Sequence, residues 1–319
     1  MSADPSELVV EPTKPFEGLG GRHGSSTQEF FVLALKSRKG KIGIALIAVV
    51  LALAAFGPAI AAYSPSEFVT TPFAKPTAAF PLGGDVLGRD VASRLLYGGR
   101  IILLMAFSAT LIGVALGVII GISAAYSRSW VGSFAMRAVD VLLAFPQLVF
   151  ALLLVSIVGP KLWLIVTAIA LSHMPQVARV VRGSALDVTE RDFVKVSVLY
   201  GTPRWKVVAT EILPNVLSIV FVEFGIRLTY SILIIATLSF LGFGLQPPDP
   251  NWGAMINENR VGITANPWGI AAPAFLIAIL TVGVNTFTDA VAGAAIGGDG
   301  AVREIELDEA GLFLGVEGK

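Results

Sequence analysis

The placement of charge constrains this chain more than any other feature. Six stretches, residues 42–62, 101–125, 141–158, 162–178, 212–243 and 269–288, are almost wholly apolar. Of the chain's 23 basic and 23 acidic residues, they hold only Glu223 and Arg227. A charged side chain near the centre of a membrane helix costs roughly 2.5–3.5 kcal/mol on insertion scales, so hydrocarbon as solvent imposes this exclusion. About 20 helical residues cross a core of roughly 30 Å. Ile42–Ala62 and Ile101–Ala125 meet that length directly, and Val141–Val158 does so when extended back through Phe134–Asp140. Leu162–Ala178 is slightly short and contains Pro175, Ile212–Phe243 has room for a lead-in, and Gly269–Thr288 suffices. The runs lack the period-2 alternation of barrel strands. The expected fold class is an all-α integral membrane protein with six transmembrane helices.

Orientation follows lysine and arginine near the span ends. On one side stand Lys36, Arg38, Lys39, Lys41, Arg128, Arg137, Arg179, Arg182, Arg191, Lys195, Arg204 and Lys206. The other has Lys75, Arg89, Arg94, Arg100, Lys161 and Arg260. Both termini are therefore expected in the cytoplasm. Ala59-Ile60-Ala61 has the form of a signal-cleavage site, but the apolar run before it is too long and too far from the start, which favours a retained anchor. The expected organisation is a disordered cytoplasmic tail at 1–30, a first transmembrane helix and external loop at 31–100, a core with five spans at 101–292, and an acidic cytoplasmic tail at 293–319. The equal charge tally gives no basic field for nucleic acid. With no cysteine and only two histidines, His23 and His173, neither a thiol nucleophile nor a metal centre is expected.

Within the spans, Gly113, Gly117 and Gly121 lie on one helix face, where a second backbone can approach closely. Helix packing is the plain reading and a subunit interface the sharper one. Glu223 and Arg227, four apart, can pair as structural glue or as a polar pore wall. Arg137 and Asp140 are placed to pair at the membrane interface, and Pro146, Pro175 and Pro273 to kink their helices. No G-x-x-x-x-G-K-[ST] loop is present, nor H-E-x-x-H or G-x-S-x-G, so the case for an enzyme is weak. The segment Arg179–Pro214 is long and charged, and Ser184–Tyr200 reads as a short amphipathic helix ended by Gly201. Such a helix suits a lipid surface or a partner's groove.

These residues resemble the permease subunits of ATP-binding-cassette importers, in the dipeptide/oligopeptide/nickel branch. The family's cytoplasmic loop has Glu-Ala-Ala, three residues, Gly, nine residues, then Ile-x-Leu-Pro. Here Arg191-Asp192-Phe193-Val194 leads in, Lys195-Val196-Ser197 stands at the Glu-Ala-Ala positions, Gly201 matches the glycine and Leu213-Pro214 the end. Lys195, Val196 and Ser197 all depart from the pattern, and Glu211 replaces the isoleucine. Residues 83–91 with Ser93-Arg94 and Tyr97-Gly98-Gly99-Arg100 resemble the branch's first external loop. Leu238–Gly242, Gln246-Pro247-Pro248 and Asn251-Trp252-Gly253 resemble its last.

The resemblance implies a type I importer architecture in a bacterial or archaeal inner membrane. This chain would form half a pore within the lipid bilayer, beside a homologous second permease. Two ATPase subunits would carry ATP and Mg, with no cofactor on this chain, and an extracytoplasmic binding protein would deliver peptides. Residues 191–197, Gly201, Leu213 and Pro214 would couple spans to ATPase, with an acidic partner residue for Lys195. The rivals are an ion-coupled secondary transporter and the same importer class carrying nickel or oligosaccharide.

Overall fold

The computed structural model describes residues 27–127, 130–244 and 248–314, with side chains described from Val32 to Ala294 except at Val131. Residues 1–26, Arg128, Gln246, Pro247 and 315–319, on which parts of the sequence reading rest, lie outside the described residues. The described elements are helical: α1 Thr27–Lys36, α2 Arg38–Ile60, α3 Val91–Tyr126, α4 Trp130–Leu143, α5 Gln147–Val158, α6 Leu162–Thr189, α7 Asp192–Leu199, α8 Arg204–Val207, α9 Leu213–Phe240, α10 Trp252–Asn259 and α11 Trp268–Leu314. A π turn, Val208–Ile212, joins α8 to α9. Two isolated bridges, Phe68 with Arg89 and Gly84 with Asp90, brace the loop between α2 and α3.

Among the described residues five helical segments are long and apolar enough to cross a membrane: 38–60, 91–126, 162–189, 204–240 and 268–294. The α4–α5 pair is apolar and long enough to make a sixth, third in chain order, but its halves meet at 84°, the geometry of a broken span or a re-entrant loop. Pro146 accounts for the break. It has no N–H, and it disfavours helical geometry at Phe145 before it. The last turn of α4 tightens accordingly, with Phe145 N–H on the Leu142 carbonyl at 3.3 Å. A kink was the expectation at this proline; the structure has two separate half-helices. Pro175 and Pro273, by contrast, lie within α6 and α11, which run on through them.

Element ends also differ from the charge-free runs. The second span starts at Val91, ten residues before Ile101, with the Asp90 carboxylate accepting from Ser93 N–H at 2.8 Å as its cap. Arginines are tolerated in this first part because each has partners. Arg100 donates to the Ala54 carbonyl at 2.9 Å, which has lost its helical donor because the residue four ahead is Pro58. The fourth span runs past Ala178 to Thr189, so Ser184–Tyr200 is not one helix but the end of α6, a break at Glu190-Arg191, and α7.

Two cores hold the bundle. The larger joins Ile102, Met105, Ile165, Ile169, Ile232, Leu238, Trp252 and Met255. The smaller joins Ile122 of α3 and Val181, Ala185 and Val188 of α6 to Val194, Val207, Ile212 and Val216 of the segment that follows. The bundle thus has a loop end, carrying 61–90 and 241–267, and a hinge end, carrying 190–212.

Candidate functional site

The hinge end is built from residues that anchor it on one side and leave it open on the other. Arg191 is extended and starts a new helix, and Val194 of α7 is buried against α6 and the π turn. Phe193 packs beside it, half-buried. Gly201 closes α7 with φ +75°. Its N–H reaches the Val198 carbonyl at 3.0 Å and Thr202 N–H the Ser197 carbonyl at 3.1 Å. That is a Schellman cap, which needs a left-handed residue. No atom lies within 4 Å of the place a Cβ would occupy, so the demand for glycine is purely one of backbone. Facing outward are Val196, Val198, Leu199 (85% exposed), Tyr200 (87%) and Trp205 (73%).

Below this surface the chain thickens into the π turn, where Leu213 N–H bonds the Val208 carbonyl, five residues back. Pro214 follows directly; its ring would crowd the Thr210 carbonyl in an α turn, and a wider turn relieves that. Glu211 lies in the π turn and its Oε1 is 3.5 Å from the Ser197 hydroxyl, so two of the four departures from the family pattern meet in space. Lys195 also finds partners in its own loop, at 3.8 Å from Glu190 and 3.9 Å from Asp192. Asp192 lies one turn before it in α7 and Glu190 caps the end of α6, and all three side chains stay exposed.

In the spans, Arg227 Nε donates to Glu223 Oε2 at 3.0 Å, and Arg227 Nη1 donates to Gln176 Oε1 of α6. The guanidinium also lies 5.7 Å from the Tyr230 ring centroid. Gln147, the first residue of α5, donates to the Ser172 carbonyl at 3.2 Å and faces His173 Nδ1 at 3.3 Å. His173 Nε2 is 2.9 Å from the Ser231 hydroxyl, which is 2.8 Å from Thr110. A carboxamide nitrogen only donates, so Nδ1 accepts, Nε2 carries the proton, and the chain of donors runs towards Thr110. Asp140 pairs with Arg179 of α6 rather than with Arg137, because the facing helix presents its guanidinium more directly than the next turn does.

Gly113, Gly117 and Gly121 face α6. A Cβ at Gly117 would sit 2.6 Å from Val177 Cβ, and one at Gly121 2.7 Å from the Ala178 carbonyl oxygen. The stripe therefore lets two backbones of the same chain touch. At the loop end the two external-loop motifs pack on each other. The Trp252 indole donates to the Leu95 carbonyl at 2.9 Å and covers Gly98 and Gly99. Arg89 and Arg94 both reach Glu258 of α10, at 2.7 and 2.9 Å, and Arg89 reaches Asp85 at 2.6 Å.

A bundle of five membrane-length helices and one sharply bent helix pair, with a charged segment between α6 and α9, invites comparison with known transport proteins. The family model described as "Binding-protein-dependent transport system inner membrane component" matches residues 113–295. The chain belongs to this family. The permease is 33% identical to the di/tripeptide transport system permease protein DppC of Pseudomonas aeruginosa, over 90% of this chain and 93% of that one. It is 37% identical to the glutathione transport system permease protein GsiD of Pectobacterium atrosepticum, over 67% and 71% respectively. With the dipeptide transport system permease protein DppC of Alkalihalophilus pseudofirmus it shares 31% identity over 83% and 88%. The all-α fold and the importer resemblance read from the loop motifs both hold, and the chain is a multi-pass inner-membrane permease of the ATP-binding-cassette importer class.

Three features of the permease escaped the sequence. Glu258 is separated from Arg89 by 169 positions, and no local pattern marks it. Gln147 and Gln176 are polar but uncharged, so a reading keyed to charge passes over them. His173 was visible as an intramembrane polar residue, but its partners come from α5 and α9.

Proposed function

We propose that this permease forms half of a translocation pore for di- or oligopeptides, with a homologous permease as the other half. An extracytoplasmic binding protein delivers the peptide. Two ATPase subunits, which hold the ATP and Mg, dock at the hinge end, where α7 and the turn at Gly201 seat in a groove. Closure of the ATPases then moves α6 and α9 through the small core that binds them to α7. No cofactor binds this chain. The hinge end and both termini face the cytoplasm, in line with the 12 lysines and arginines counted on that side against six on the other.

One observation carries this reading: Leu199, Tyr200 and Trp205 are exposed on a segment whose other side is fully buried through Val194, Val207 and Ile212. Apolar groups held rigidly in the open suit a protein partner. Glu190, Arg191, Asp192 and Lys195 beside them carry both signs, whereas a helix lying on lipid is characteristically basic on its polar face. The peptide class rests on the relatives, which are named for di/tripeptides, dipeptides and glutathione.

The test is purification and transport. The permease should co-isolate with an ATPase bearing a Walker-A loop, and vesicles holding the complex should take up dipeptide only when ATP is supplied. Uptake driven by a proton or sodium gradient, with no ATPase attached, would overturn the reading.

A further inference from the structure

The break between α4 and α5 opens a pocket lined by Leu142, Phe145, Gln147, Phe150, Ser172 and Gln176, among others. It is narrow here, with room for about one water molecule. Its polar groups are two carboxamides on different helices, and their neighbours determine which way each one points. Gln176 touches Arg227, and a guanidinium has no acceptor, so Oε1 faces the arginine and Nε2 is the outward end. Gln147 touches the Ser172 carbonyl, which has no donor, so Nε2 faces that carbonyl and Oε1 is the outward end. Among the described residues neither Gln147 Oε1 nor Gln176 Nε2 has a hydrogen-bond partner. Two residues that line one pocket thus carry an unpaired acceptor, Gln147 Oε1, and an unpaired donor, Gln176 Nε2, and an unmet polar group is costly at membrane depth.

We propose that this pocket is a hydrogen-bonding station for the peptide bond of the substrate on its way through the pore. A peptide unit carries one N–H and one C=O, which match Gln147 Oε1 and Gln176 Nε2 respectively. Phe145 and Phe150 supply apolar walls for side chains of any kind, as a carrier of varied peptides needs. The groups behind the station leave it neutral, since Arg227 is paired with Glu223. Irregular backbone at membrane depth is tolerated where it lines a cavity, and the α4–α5 break does so here. Part of the third span must move for the peptide to enter, and the α4–α5 break is the place for that motion. The proposal rests on the peptide-importer reading and names the atoms that would serve it.

The experiment uses the reconstituted importer with its binding protein at saturation, and compares a dipeptide with its ester analogue, in which the amide N–H is replaced by oxygen. Gln147→Leu should slow dipeptide uptake about three- to tenfold, the worth of one hydrogen bond, and leave ester uptake unchanged, because the ester has no N–H for Oε1 to accept. Gln176→Leu should slow both, because both keep the carbonyl. The amount of assembled complex is measured alongside, because Gln147→Leu also removes the donor to the Ser172 carbonyl and to His173 Nδ1. Wild-type uptake by both variants, or equal losses of both substrates in Gln147→Leu, would overturn the station and leave peptide import standing. A wild-type complex that takes up neither substrate with ATP would instead overturn the import reading itself.

Discussion

The two ends of the bundle solve opposite problems with similar residues. At the loop end, Asp85, Arg89 and Arg94 are buried, and Glu258, 17% exposed at its side chain, closes the cluster within hydrogen-bond distance. At the hinge end, Glu190, Asp192 and Lys195 are exposed and lie close to 4 Å apart. Charges at the first end are locked among their own chain; at the second they stay solvated. Two tryptophans differ in the same sense, with Trp252 buried over Gly98 and Gly99 and Trp205 in the open. The charged cluster of the loop end is satisfied within this chain, whereas the hinge end mounts an exposed apolar surface directly on a buried core.

The comparison predicts effects of different size and kind. The largest belongs to the loop end. Glu258→Ala leaves two buried arginines with Asp85 alone to share, and breaking a buried pair costs up to about 3–5 kcal/mol. The variant should show a sharply lowered unfolding midpoint in detergent and less permease in the membrane; wild-type stability would mean the cluster does not hold the loops. Gly201→Val comes next. It forces a β-branched residue to φ +75°, a strain of about 1–3 kcal/mol confined to the turn. ATP-driven uptake should fall at least tenfold at unchanged membrane abundance, and normal uptake would remove the turn from the coupling route. The smallest stability effect is expected for Leu199→Ser with Tyr200→Ser. Both side chains are exposed, so stability should move by no more than about 0.5 kcal/mol. Recovery of the ATPase on purification should nevertheless drop, and undiminished recovery would break the contrast between the ends.

Much of this was legible from residue order. Charge-free runs located the spans, because hydrocarbon penalises a charge wherever in the chain it falls. Glu223 and Arg227 were legible as a pair because helical spacing alone brings positions four apart together. Gly201 was legible as a turn, though its Schellman hydrogen bonds were not. Arg137 and Asp140 show where spacing misleads. Three apart on one helix they are placed to pair, yet Arg179 of α6 takes the carboxylate. Pro146 announced a disturbance without its size, since a proline removes one donor but the packing of both flanking segments sets the angle.

By itself the sequence determined the solvent of this protein, its helical class, its family and the segment that leaves the membrane, since each depends on local composition or on motifs of fixed spacing. Tertiary structure alone decided which long-range groups meet: Glu258 with Arg89 and Arg94, Trp252 with Gly98 and Gly99, Gln147 and Gln176 across one pocket. Those contacts join positions far apart in the chain, and their partners are selected by how helices cross. Crossing is set by the summed packing of many apolar side chains, to which no short stretch of residues commits the chain.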